Sequence, residues 1–312
     1  MGVLAIGCTI KMRMKIAYEM NPPRIMVSSS NSNRSERFDL QSLSSDIERF
    51  YSRVMALDGL AYMIHVTDSV LGIPRLSSIR IGREIMHRYK QRTRCSIRVR
   101  DRNMNAVLQL VTDAILDGID GLLIIKGDEP KHSSVDSAVK PSSVVKFLNE
   151  HGFSKHIRLY LSIDAENYSE DELNRKVSAE PHGLITQSIS SLEPLALLAD
   201  RVKANNMCII PCIMVPSPKN RTSAASINLD WSKYEQDVES FVLEAYRLCG
   251  EVMVTSPNSF NDGIDILKRL MQGKAFPERY MQRGSEKVGA VYREKEVEKF
   301  DEGGSMKGNN TP

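Results

Sequence analysis

Along most of the chain, short apolar runs rich in β-branched residues alternate with amphipathic stretches of helical period. The pattern is clearest between residues 96 and 130. There Ser-Ile-Arg-Val-Arg and Gly-Leu-Leu-Ile-Ile flank one amphipathic segment, the mark of a strand–helix–strand unit with parallel strands. Read in the same way, strands are predicted over residues 15–20, 61–67, 95–100, 121–126, 157–163, 183–187, 207–214 and 251–255. Helices are predicted over 40–57, 79–91, 103–116, 142–150, 170–179, 193–205, 231–248 and 263–271, with 27–39 a polar loop. Regular alternation of this kind implies an α/β protein, specifically a single-domain (β/α)8 TIM barrel spanning residues 14–272. Residues 1–13 read as an N-terminal extension and 273–312 as a polar, solvated C-terminal tail.

Charge gathers where the strands end. Arg100-Asp101-Arg102 follows the third, and Lys126-Gly127-Asp128-Glu129-Pro130 follows the fourth. In such folds ligands sit at the carboxyl ends of the strands. Asp128, after a Gly and two before a Pro, therefore either faces a shared cleft or caps a turn. On the first strand, alternation sets Ile16, Tyr18 and Met20 against Ala17 and Glu19. A Glu on the inward face of an apolar strand is costly to bury without purpose. It serves either as a proton donor of raised pKa or as the partner of an Arg at the barrel mouth.

A length of 312 residues, with 41% hydrophobic and 26% charged residues, suits a globular protein with a large core. A net charge of +3 is too small to favour nucleic acid or an anionic membrane as the main partner, and leaves room for a local phosphate pocket. Cys8, Cys95, Cys208, Cys212 and Cys249 are scattered and odd in number, so they read as reduced thiols of a cytoplasmic protein rather than as metal ligands. The apolar stretch near residue 3 is too short for a signal peptide, and no run reaches membrane-spanning length.

The strand exits, taken together, resemble one family. Tyr18-Glu19-Met20-Asn21-Pro22-Pro23-Arg24 is similar to the first-strand motif of the methylenetetrahydrofolate reductases, an aromatic-Glu pair running into Pro-Pro-Arg. Val66-Thr67-Asp68-Ser69, Arg100-Asp101-Arg102-Asn103 and Lys126-Gly127-Asp128-Glu129-Pro130 resemble its second, third and fourth exits. Arg175-Lys176-Val177, Ile185-Thr186-Gln187 and Ile209-Ile210-Pro211 follow in the family's order.

The resemblance implies a flavin, FAD rather than FMN, and reduction of 5,10-methylenetetrahydrofolate or a modified pterin to the 5-methyl form. Electrons would come from NAD(P)H or another donor, and the reaction belongs to one-carbon metabolism. It further implies Glu19 as general acid and Asp128 as an ionised group beside the flavin and the iminium cation. Thr67, Asp68, Arg100, Asp101, Lys126, Gly127 and Lys176 would hold the cofactor, and Gln187 the pterin edge. The partner expected beyond substrate is a second copy of the chain or an electron-donor protein.

The chain also departs from the pattern. Ser96 stands where the family often has a His, and Lys126 where it has an Arg, losing the planar bidentate fork. Ser188-Ile189-Ser190 and residues 216–221 lack the aromatics expected to stack on nicotinamide and substrate, so the hydride source is open. His65 reads as a satisfied core histidine. Two rivals stand beside the reductase: a flavin-free, methyltransferase-like pterin barrel, and a non-catalytic subunit of a one-carbon complex.

Overall fold

The computed structural model describes residues 14–25, 38–129 and 136–272. The expected extension, the tail and most of the 27–39 loop lie outside them. Eight strands close into one barrel in sequence order, every neighbouring pair parallel. They are β1 (Ile16–Met20), β2 (Met63–Val66), β3 (Thr93–Arg98), β4 (Gly121–Ile125), β5 (Arg158–Ile163), β6 (Gly183–Ser188), β7 (Cys208–Met214) and β8 (Val252–Thr255).

The helices between them are α1 (Leu40–Ala56), α2 (Ser78–Tyr89), α3 (Met104–Leu116), α4 (Pro141–Glu150), α5 (Glu170–Val177) and α6 (Leu192–Ala204). Then come α7 (Arg221–Ser226), α8 (Val238–Cys249) and α9 (Phe260–Gln272). Side-chain caps set several starts: Asp39 accepts from the amides of Gln41 and Ser42, Asn103 from Ala106, and Ser169 from Glu172. Glu170, Asp171 and Glu172 add negative charge to the first turn of α5, against its positive dipole end. None of the helices among the described residues is long and apolar enough to cross a membrane.

Strand alternation divides the core in two. Outward residues such as Ile16, Tyr18, Ile64, Cys95, Ile97 and Leu122 pack under the helices. Ala17, Met63, Leu123, Tyr160, Ile185, Ile210, Cys212 and Met253 fill the barrel interior. At Gly183 a Cβ would lie 2.5 Å from the Cys208 carbonyl oxygen, so β6 meets β7 there only without a side chain.

Beyond small shifts of element ends, three differences from the reading of the sequence bear on the site. The helix expected over 231–248 begins at Val238, because Asp237 caps it by accepting from the Ser240 amide. Ahead of it, Trp231 and Tyr234 turn inward, and the Tyr234 hydroxyl donates to the Met214 carbonyl at 3.1 Å. The polar loop after β7 contains the short α7. Strand β3 begins and ends two residues early, which places Arg94, Ser96 and Arg98 on the interior face, opposite Cys95 and Ile97.

Candidate functional site

A cavity of about 740 Å³ opens at the carboxyl ends of the strands, within the size range of small-molecule sites. Its floor is apolar at Leu123, Ile125, Ile185 and Met253. Glu19, Thr67, Asp68, Arg100, Lys126, Gly127, Asp128 and Gln187 all line it. Asp101 and Lys176 are not among the lining residues: Asp101 accepts from the Arg98 Nε at 3.1 Å, and Lys176 pairs with Glu172 one turn back on α5.

Glu19 stands on the inward face of β1, its Oε1 accepting from the Thr255 hydroxyl at 2.8 Å. Burial pushes its pKa above the ordinary carboxylate value, with the Thr255 hydrogen bond and the Arg94 charge opposing in part. It is thus a carboxyl inclined to hold its proton. Cys212, on the same wall, is a buried thiol pushed well up by desolvation and by the Glu19 charge, and so is poorly nucleophilic.

From His65 and Ser96, which line the cavity, a buried polar column that the strand reading missed runs into the barrel. Arg94, 1% exposed, donates from Nε to His65 Nδ1 at 3.1 Å and from Nη1 to Glu251 Oε1 at 3.0 Å, and lies over the Tyr160 ring. Because the guanidinium can only donate, His65 Nδ1 must accept. The imidazole is therefore the neutral Nε2–H tautomer, donating to the Ser96 hydroxyl at 2.9 Å. Burial and the Arg94 charge hold the His65 pKa well below the usual range. His65 is the satisfied core histidine expected, and Ser96 is its partner. The available signal was the alternation Arg94, Ser96, Arg98 on one strand face, with apolar residues between.

Asp128 reaches across to a neighbouring loop. Its Oδ2 accepts from the Leu71 amide at 2.6 Å, across from the loop after β2. That loop holds Ser69 and Leu71 at φ of 47° and 59°, a left-handed conformation that costs L-residues about 1–2 kcal/mol each. Arg98 ties the same three loops together, donating to the carbonyls of Ser69 and Asp128 and to Asp101. Gly127 sits against it at φ 82°, where a Cβ would lie 2.8 Å from the Arg98 Cβ. Asp68 accepts from the Arg98 amide and from Arg102, so it braces the β3 exit. Thr67 donates to the Asn21 side chain at 2.7 Å. Arg100 and Lys126 both pair with Asp136.

Gln187 faces the cleft in step with Ile185, and a bulge brings its neighbours there as well. Ile185 pairs with Ile210 and Ser188 with Cys212, so β6 carries one residue more than β7 over that interval. Thr186 lies inside the bulge and accepts from the Cys212 amide at 2.9 Å. Thr186, Gln187 and Ser188 consequently all face the cavity, which plain alternation forbids.

Fold and site together define a (β/α)8 barrel with a ligand cleft at the strand carboxyl ends. No protein-family model matches the chain, and no curated protein matches it. Solved structures similar to it include 7,8-dihydropteroate synthase from Vibrio fischeri ES114, at 11% identity and a TM-score of 0.43, covering 85% of this chain and 95% of that one. Tryptophan synthase from M. tuberculosis is 14% identical with a TM-score of 0.47, covering 83% and 90%. The aldolase QR15 is 14% identical with a TM-score of 0.47, covering 85% and 100%. Likenesses this remote are silent on chemistry.

Proposed function

We propose that the chain is an enzyme that reduces a methylene-bearing pterin, 5,10-methylenetetrahydrofolate or a modified relative, to its 5-methyl form with the help of a flavin. The observation that carries this reading is Glu19: an inward carboxyl whose pKa desolvation raises, set in a cleft with an apolar floor. The motif resemblance at the strand exits supports it. The flavin, when bound and reduced, supplies the hydride.

The chain's own residues serve the other demand of the reaction. Glu19, oriented by Thr255, holds the proton that the pterin nitrogen takes as the five-membered ring opens to an iminium cation. Asp128 contributes negative charge on the cleft wall, favouring that cation, while its bond to the Leu71 amide fixes the carboxylate in place. Gln187 offers an amide to the pterin edge. Leu123, Ile125, Ile185 and Met253 provide a surface for planar rings. The electron donor is NAD(P)H or a protein carrier.

A specific observation favours a second reading, a pterin barrel without flavin. The cations expected to hold the flavin are committed elsewhere: Arg100 and Lys126 to Asp136, Lys176 to Glu172 outside the cleft lining.

An absorbance spectrum of the purified protein, with and without added FAD or FMN, followed by anaerobic titration with NADH and NADPH, separates the two. The flavin reading expects a bound chromophore and, in Glu19→Gln, retention of that chromophore with loss of methylene-pterin reduction. Failure to bind either flavin, or wild-type turnover by Glu19→Gln, overturns it.

A further inference from the structure

Four arginines face the cleft from its β1–β2 side, and the described residues around them leave them largely without counter-charge. Arg24 lies on the exit from β1 and Arg75 on the loop after β2. The two are locked opposite one another by an isolated antiparallel bridge, with Ile25 N–H donating to the Pro74 carbonyl at 2.9 Å and Leu76 N–H to the Pro23 carbonyl at 3.0 Å. Like charges placed directly opposite on paired strands are destabilising.

Arg75 is also half-buried. Its Nη1 donates to the Pro22 carbonyl at 2.6 Å, while its Nε is closed off from water with no partner among the described residues. Burial and the Arg24 charge push the guanidinium down to about 10. Arg53 reaches the same cavity from α1, lying 5.5 Å from the Phe260 ring centroid, and Arg49 stands one turn before it, paired with exposed Asp46.

The other acids of the cleft are engaged elsewhere: Glu19 with Thr255, Asp68 with Arg102, Asp128 with the Leu71 amide. Among the described residues no carboxylate lies within ion-pair distance of Arg24, Arg53 or Arg75. Solvation accounts for an exposed Arg24. It does not account for Arg75, whose Nε water cannot reach.

We propose that this side of the cleft mouth is a binding site for a multiply charged oxyanion, a phosphate or clustered carboxylates on a ligand whose body lies in the cavity, gripped by Arg24, Arg75, Arg53 and Arg49. Guanidinium forks match such groups bidentately, and an anion here relieves the opposed charges that the β-bridge holds together. The four arginines come from the β1 exit, the loop after β2 and α1, so the charged end of the ligand lies towards α1. The inference does not depend on the flavin reading.

The test is calorimetric titration of the full-length protein with inorganic pyrophosphate and, separately, with the tricarboxylate tricarballylate. Saturable one-to-one binding of either, weakened tenfold or more in Arg24→Gln/Arg53→Gln with an unchanged circular dichroism spectrum, supports the site. The tighter probe then tells phosphate from carboxylate. Arg75→Lys, which keeps the charge but loses the fork, should weaken binding with the fold intact. No saturable binding of either probe, or equal binding by the folded double variant, overturns the proposal. Pyrophosphate binding by a protein that takes no flavin would keep the site and remove the flavin reading.

Discussion

Replacing Glu251 by Gln would leave Arg94 as a buried cation without its counter-charge. The pair is 3.0 Å apart, with Arg94 1% and Glu251 20% exposed. At an effective dielectric of 20, two unit charges at that distance attract by about 5 kcal/mol, most of which only offsets their desolvation. Removing one partner is a different matter. The remaining charge stays desolvated, and such losses run to about 3–5 kcal/mol. Arg94 already has one nitrogen, Nη2, without a partner, so the network cannot absorb the change. Because Glu251 keeps some contact with water, the lower end applies: a loss of about 3 kcal/mol, or a fall in Tm of about 6 °C or more. Equilibrium urea unfolding by circular dichroism measures it. The double variant Arg94→Met/Glu251→Leu should recover part of the loss, since an apolar pair leaves no charge to satisfy while His65 Nδ1 loses its donor. A loss below about 1 kcal/mol for Glu251→Gln, or a double variant as unstable as the single, would refute the idea that this pair governs the barrel interior.

Further outcomes follow from the site itself. Glu19 binds its proton more tightly in the folded than in the unfolded chain, so wild-type stability should fall as pH rises from the ordinary carboxyl range through the raised Glu19 value. Glu19→Gln should lack that decline, and identical pH slopes in urea unfolding would contradict the assignment. Gly127→Ala forces a side chain into a φ of 82° and against Arg98, and should lose about 1–2 kcal/mol or more in the same assay. In Asp128→Ala the Leu71 amide should exchange with deuterium at least tenfold faster while core amides keep their protection, because the bond to Asp128 is what engages that amide.

Much of the barrel was legible because its signal is local. Each strand is a short β-branched run, each helix an amphipathic stretch, and the two alternate without a break. Asp237 shows where that reading slips: periodicity carried the helix back to Trp231, but a capping aspartate further along sets its true start. Within the site, Glu19 was visible as a carboxylate on an otherwise apolar strand, Asp128 at a charged strand exit, and Gln187 through the motif resemblance. What they touch was not visible. Thr255 lies at the far end of the chain from Glu19, and the Leu71 amide belongs to a loop whose left-handed turn has no glycine at that position to announce it. Arg94 was overlooked because a lone Arg before an apolar run reads as a strand boundary rather than as part of the interior.

The extra residue in β6 has a consequence for how this barrel can vary. It resets which side chains point inward above Ile185, while the pairing below Ile185 stays in step with β7. The rim of that strand can therefore be rewritten by adding or deleting one residue, presenting a different chemical group to whatever the mouth holds, and the closed cylinder underneath need not shift its register.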